Sequence, residues 1–420
     1  MRALLGRAAR IHPLTSLAWG LGLRLACAFV PAREPRDDAV HYVTAARELA
    51  SGVGYLLRGH PSAYWPVGYP LFLSLVFRAT GSSLIAVRVI QAILSSGMIY
   101  LAYSIGRRLY GREEPARLGA LLLAFIPSQI TYPASMLSEV LYASLTLAGF
   151  ALFLRSLRWP WAVASGAGFG LAELVRPVAF LLPALGALWG DRGAWLHRLR
   201  AGMIAFGVML CVLSPWVLRN MRVLHSPIWV STNGGINLWM GNHPGATGSY
   251  EFTPEMAAAS RRIGNEVAFD AYARARAVAF VREHPTEALS LLWRKVVLLW
   301  SPDHNGVDGV FPRLRSWQRK LSVALSDVAY FGVWLLLIAG LAARRRPAGL
   351  PIVMLLYYTA IYAATVAMPR YQFPAIPWLA MAAAAIAMPA GSSRAVRLAI
   401  SSSLGRPEGR GGAVAPPIPR

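Results

Sequence analysis

About ten apolar runs of roughly 13 to 22 residues, rich in Ala, Leu and Gly, divide this 420-residue chain. Each is close to the ~20 residues that cross a bilayer core as helix. A bilayer admits only helices or closed barrels, and barrel strands would read as ~10-residue alternating segments rather than continuous runs. Only 15% of the residues are charged and 56% are hydrophobic, where a soluble domain carries roughly 25% charged residues. A water-soluble enzyme is excluded, and the expected class is an all-α polytopic membrane protein with about ten transmembrane helices.

The net charge is +23, from 40 Arg and 2 Lys against 19 acids. In a soluble protein that balance would suggest nucleic acid. Here the basic residues collect at the ends of apolar runs, as the positive-inside rule and anionic lipid require, and no arginine stripe with interleaved aromatics forms a soluble patch. Cys27 and Cys211 lie inside apolar runs, so no disulfide framework or zinc spacing is present.

The first apolar stretch, 14–30, is longer than the 7–15-residue core of a signal peptide. It contains Arg24 and is followed by Pro31-Ala32-Arg33-Glu34-Pro35 without a small-x-small cleavage site. It reads as a first spanning helix with its N-terminus in the cytoplasm. Basic clusters at the N-terminus, Arg107 to Arg117, Arg155 with Arg158, Arg192 to Arg200, Arg344 to Arg346 and the tail from Arg394 then fall on the cytoplasmic side.

This orientation decides the status of 69–80. If it crossed, the helix at 84–105 would deliver Arg107 and Arg108 to the outside; as ~12 residues it reaches only about 18 Å of a ~30 Å core. It therefore reads as an in-plane amphipathic helix on the outer face. Further spans are expected at 118–132, 136–154, 161–175, 178–189, 201–217, 328–342, 350–367 and 371–388. The expected organisation is a transmembrane domain over 1–390, with a first external loop at 31–83 and a long external segment at 218–327, then a disordered basic cytoplasmic tail at 391–420. Both termini are cytoplasmic. Glu113, Glu114, Asp191 and Glu408 fall inside and the other fifteen acids fall outside or at outer helix ends, which points to an outward-facing site in the plasma (inner) membrane.

The first external loop carries the most information. Tyr42, Ala45, Ala46 and Leu49 recur at helical spacing and predict a short amphipathic helix ending at Gly52. Asp38 is either its N-cap or a carboxylate presented at the membrane surface to a lipid headgroup. Glu139, at the outer end of a span, is either favoured there by the helix dipole or faces a cavity. Glu173 and Arg176, one turn apart, are an ion pair or a charge pair lining that cavity, and Pro177 breaks the helix beside Arg176. Arg88, Arg219 and Arg370 also sit at outer helix ends, either snorkelling or offering bidentate donors to a phosphate. Ser231 to Asn242, including Asn233 and Asn242, reads as a turn-rich, amide-rich loop with one aromatic, suited to sugar hydroxyls. Gly166-x-Gly168-x-Gly170 sits inside a span without a preceding strand and reads as helix packing, not a nucleotide fingerprint. No Walker loop, His-x-x-x-His pair or serine nucleophile elbow is present.

Asp38-x-x-x-Tyr42-x-x-x-Ala46-x-x-Leu49-x-x-Gly52 followed by Trp65-Pro66-Val67-Gly68-Tyr69-Pro70-Leu71-Phe72 resembles the first external loop of polytopic (C-type) glycosyltransferases that use polyprenyl-phosphate sugars. That group includes the dolichyl-phosphate-mannose protein mannosyltransferases and the lipid A aminoarabinose transferase. The similarity continues through Gly106 to Gly111, Ser138-Glu139, Leu174-Val175-Arg176-Pro177, Pro215-Trp216-x-x-Arg219-Asn220, Asn233-Gly234-Gly235-x-Asn237-x-x-x-Gly241-Asn242 and Arg370-Tyr371, over roughly 14–385. The resemblance implies that Asp38 deprotonates an acceptor hydroxyl with Asp37 as a spare neighbour. It implies that Arg176, Arg219 and Arg370 hold the leaving phosphate, and that Glu139 orients the acceptor or a divalent cation. Tyr42, Tyr69, Arg88, Asn220, Asn233, Asn242 and Tyr371 complete the candidate substrate-binding set. Asp38 is followed by Ala39 where the mannosyltransferases commonly have Glu, so metal use and acceptor class do not carry over. The expected activity is inverting transfer of a sugar from a polyprenyl-phosphate carrier to a lipid, glycan or protein acceptor. The alternatives are a transporter or flippase of lipid-linked sugars, and a polymerase or ligase using diphosphate-linked glycans.

Overall fold

The computed structural model describes residues 2–30, 34–155, 159–189, 195–304, 306, 314–342 and 349–388. The basic tail expected at 391–420, and Asp191 and Glu408 with it, lie outside the described residues. The elements in chain order are α1 (Arg2–Ala8), α2 (Pro13–Ala28), α3 (Asp38–Ala50), a hairpin of two-residue strands β1 (Leu56–Leu57) and β2 (His60–Pro61), α4 (Gly68–Thr80), α5 (Leu84–Tyr110), α6 (Glu113–Phe125), α7 (Pro127–Thr131), α8 (Glu139–Phe153), α9 (Trp159–Val175), α10 (Leu182–Leu188) and α11 (Trp195–Leu224). The segment expected to be external adds α12 (Gly234–Gly241), α13 (Pro254–Ile263), α14 (Glu266–Glu283) and α15 (Pro285–Leu299), before α16 (Ser316–Ala342), α17 (Leu350–Ala364), a 3₁₀ turn (Pro369–Ala375) and α18 (Ile376–Ala387). The chain is helical and polytopic as the apolar runs require. Among the described residues α5, α11 and α16 can each cross a bilayer by length and composition, and Pro127–Ala134 with Glu139–Phe153, bent by 118°, form either a broken span or a re-entrant loop. The other apolar helices are shorter than the ~20 residues a perpendicular crossing needs.

Buried polar side chains repair the breaks in this bundle. Pro127 has no N–H to give the carbonyl four residues back, so Leu123 loses its helical donor. Arg24 of α2, fully buried, supplies it: its guanidinium donates to the Leu123 and Ala124 carbonyls at 3.3 Å and its Nε to Ser95 Oγ at 2.9 Å. Gln91 of α5 does the same for the turn before α8. Its amide donates to the carbonyls of Pro133 (3.0 Å) and Ser135 (2.7 Å), and its oxygen accepts from Tyr69. Glu139 is thereby set at the start of α8.

Glycines bring α8, α9 and α11 together. A Cβ on Gly166 would overlap the Ala205 backbone and one on Gly170 would lie 2.8 Å from Val212, while Gly168 abuts Gly149. All three are packing residues between helices. The segment 231–242 departs from its expected loop: Gly234–Gly241 is helical. Gly235 lets α12 meet the Asp270 backbone of α14 and Gly241 lets it meet Thr365, where side chains would collide.

The external segment has its own small core of Ile236, Trp239, Met240, Met256, Ala259, Phe269, Ala273 and Ala277. It is tied to the first loop by Glu266, which accepts from Ser62 Oγ at 2.6 Å and from the Ala63 N–H at 2.7 Å, and by the Thr232 N–H on the Ala63 carbonyl.

Candidate active site

Four elements meet at a cavity of about 200 Å³: the start of α3, the start of α8, the turn after α9 and the 3₁₀ turn before α18. Each contributes one charged side chain to the lining: Asp38, Glu139, Arg176 and Arg370. α3 begins where Asp37 adopts φ 49° and its side chain makes no capping bond, so Asp37, not Asp38, is the cap residue. The Asp38 carboxylate is free of capping and accepts from the Arg370 guanidinium at 2.5 Å. Glu139, 2% exposed, is the first residue of α8, where the helix dipole favours a carboxylate. Its Oε1 meets Arg176 at 2.8 Å and Arg370 Nε at 3.9 Å. Arg176 also donates to Ser138 Oγ at 3.2 Å. The result is an alternating chain of two carboxylates and two guanidiniums, Asp38, Arg370, Glu139 and Arg176.

Aromatic rings hold these charges in place. The Arg176 and Arg370 guanidiniums lie 5.1 and 5.4 Å from the Tyr371 ring centroid, within cation–π range, and Tyr362 stacks on Tyr371 at 5.0 Å. Tyr42 is packed edge-on against Trp65 and Tyr69. Burial, reinforced by the Asp38 charge, pushes the Tyr42 phenol well above its ordinary range, and burial raises Tyr250 at the cavity wall as well. Both stay hydroxyls and can donate. Asn233, Gly234 and Asn237 complete the lining.

The expected residues divide between lining and scaffold. Asp38, Tyr42, Glu139, Arg176, Asn233, Arg370 and Tyr371 line the cavity. Tyr69 sits behind Tyr42 with its hydroxyl on Gln91. Arg219 spends its donors on the carbonyls of Ser62 (2.8 Å) and Tyr55 (2.9 Å) and on Asn220, which itself holds Ile228. Asn242 ties α12 to the Ala364 carbonyl and to Lys295. Arg88 and Asp37 are likewise off the lining. Glu173 does not pair with Arg176: it is buried and accepts the Ala179 N–H at 2.6 Å, capping the turn that follows α9. Tyr250 and Tyr362 were not singled out by the sequence. Tyr362 carries a weak signal, a third tyrosine in one apolar run; Tyr250, in a Gly/Ser turn, carries none.

The lining does not fit a divalent cation. Among the described residues no group of three or more His, Cys, Asp or Glu side chains is gathered. Both cavity carboxylates are engaged by guanidiniums, and Arg370 lies between them, where a cation would meet like charge.

Residues 64–218 match the family described as dolichyl-phosphate-mannose-protein mannosyltransferase. The chain is similar in fold to the Archaeoglobus fulgidus oligosaccharyltransferase in its apo form, with TM-score 0.53 and 13% identity over 94% of this chain and 54% of that one. It is similar to the same organism's AglB in complex with an inhibitory peptide and a dolichol-phosphate, with TM-score 0.51 and 12% identity over 96% and 52%. ArnT from Cupriavidus metallidurans bound to undecaprenyl phosphate matches at TM-score 0.42 and 16% identity over 88% and 77%. The chain spans about half the length of the oligosaccharyltransferases it matches. No curated protein matches it in sequence.

Proposed function

We propose that this protein transfers a sugar from a polyprenyl-phosphate carrier to a hydroxyl of a lipid, glycan or protein acceptor, at the outer face of the plasma (inner) membrane. The observation that carries the reading is the cluster of Asp38, Glu139, Arg176 and Arg370 in one cavity. In this reading Asp38 takes the proton of the acceptor hydroxyl. The hydroxyl oxygen forms the new bond to the anomeric carbon, and the bond from that carbon to the phosphate oxygen breaks, its electron pair leaving on the polyprenyl phosphate. A phosphate leaves without protonation, so one base suffices and the configuration inverts. Arg176 and Arg370 face the charge that develops. Two guanidiniums suit one phosphate group through bidentate pairing, which favours a monophosphate over a diphosphate donor. The reading includes ten crossings with both termini cytoplasmic, the shorter helices crossing tilted or broken.

The test is sugar transfer in membrane vesicles from radiolabelled polyprenyl-phosphate sugars, wild type against equally expressed Asp38→Asn. Transfer is expected to fall by about 10²–10⁴-fold, the range for losing a general base. Unchanged transfer would remove Asp38 from the chemistry, and absence of transfer from every donor by wild type would favour a transporter.

A further inference from the structure

Arg370 holds more capacity than its present contacts use. Its terminal nitrogen is on Asp38, yet its Nε is buried without a hydrogen-bond partner, and Glu139 Oε2 is buried and unpartnered in the same cluster. A buried polar group left unsatisfied costs about 1–3 kcal/mol, so the unused Arg370 Nε calls for a second arrangement that engages it. An anion entering the cavity meets two guanidiniums. Arg176 is committed to Glu139 and Ser138 at 2.8 and 3.2 Å. Arg370 makes one terminal bond, to a carboxylate that is itself an anion at the cavity wall.

We infer that Arg370 is a positioning residue that exchanges partners. It holds Asp38 while the cavity lacks a phosphate, turns to the phosphate of a lipid-linked donor when one arrives, and so releases the Asp38 carboxylate to the acceptor. Glu139, 3.9 Å from Arg370 Nε, and the Tyr371 ring keep the guanidinium inside the cavity during the exchange. The exchange trades one carboxylate contact for bidentate pairing to phosphate, and it makes the base available only when a donor is bound. The inference rests on the proposed function, since it takes a polyprenyl phosphate as the entering anion.

The test is binding of undecaprenyl phosphate to the purified full-length protein in lipid nanodiscs, with thermal unfolding confirming that each variant is folded. Asp38→Asn removes the competitor for Arg370 and is expected to bind about tenfold tighter than wild type, the scale of one charge-assisted hydrogen bond. Arg370→Ala is expected to bind about tenfold weaker, with Arg370→Lys as a folded fallback that keeps the charge. In the Arg370→Ala background, Asp38→Asn is expected to change nothing. Unchanged or weaker binding by Asp38→Asn overturns the exchange. An equal gain in the Arg370→Ala background also overturns it, since general removal of negative charge would then be the cause. If wild type and every variant bind no undecaprenyl phosphate, the exchange falls with the proposed function. If binding follows the expected pattern and no donor supports transfer, the exchange stands and the proposed function falls.

Discussion

Lys295 sits 1% exposed in the external segment, its ammonium donating to Asn242 Oδ1 at 2.8 Å and its stem filling the space beside Gly248. Burial pulls it down to about 8 from an ordinary 10.5. Below about pH 8 the ammonium is charged in the folded and unfolded states alike, and the fold bears the full burial cost. Between about 8 and 10.5 the folded protein releases this proton before the unfolded chain does, so stability rises with pH. The rise is up to about 3 kcal/mol. Unfolding in detergent at pH 7 and pH 9.5 is expected to show about 2 kcal/mol of this gain in wild type and to lose it in Lys295→Met. The four cavity charges were legible at this scale because an ionisable residue at the end of an apolar run is expensive and needs a reason. Arg219 has the same signature, yet its donors are consumed by the carbonyls of Tyr55 and Ser62, 164 and 157 residues away. A sequence shows that an arginine has donors, not where they are spent.

The junction between α4 and α9 sets the cavity's inner wall. Gly68 opens α4 against the last turn of α9, where a Cβ would lie 2.6 Å from the Leu174 carbonyl carbon and 2.7 Å from the Val175 nitrogen. Backbone cannot swing aside as a side chain does. Gly68→Ala is expected to cost about 1–3 kcal/mol of stability, the overpacking range, and to lower sugar transfer by moving Trp65 and Arg176 apart. Gly22→Ala, inside α2 where nothing lies within 4 Å, is the control and is expected to unfold no earlier than wild type, since Ala favours a helix interior over Gly by about 0.5–1 kcal/mol. In the first loop α3 was readable from its periodicity, ending beside Gly52, and α4 from a short apolar run, matching 69–80 to within a residue. Hydropathy alone could not place the break at Ile126 and Pro127, because the run stays apolar through it. Nor could it find α12, since Asn-Gly-Gly signals a turn equally well when the glycines serve close contact with Asp270 and Thr365.

For the molecule as a whole, orientation is the testable quantity. In a Cys27→Ala/Cys211→Ala background, a cysteine replacing Glu255 is expected to react with a membrane-impermeant maleimide on intact cells. One replacing Glu114 is expected to react only after permeabilisation. The reverse pattern would invert the threading and put the cavity on the cytoplasmic side. The expected threading rests on the charge asymmetry alone, whereas the joining of the first loop to the segment after α11 through Glu266 was invisible, because it depends on two segments 204 residues apart meeting in space.

The pairing of Asp38 with Arg370 spans 332 positions, and it bears on how the protein is made. The chain is synthesised from its N-terminus, so the carboxylate emerges early and its guanidinium 332 residues later. Until then the Asp38 charge at the start of α3 lacks the partner it has in the folded protein. A nascent chain interrupted before Arg370 would therefore carry this carboxylate without the cation that holds it, and the pairing is a late contact of biogenesis.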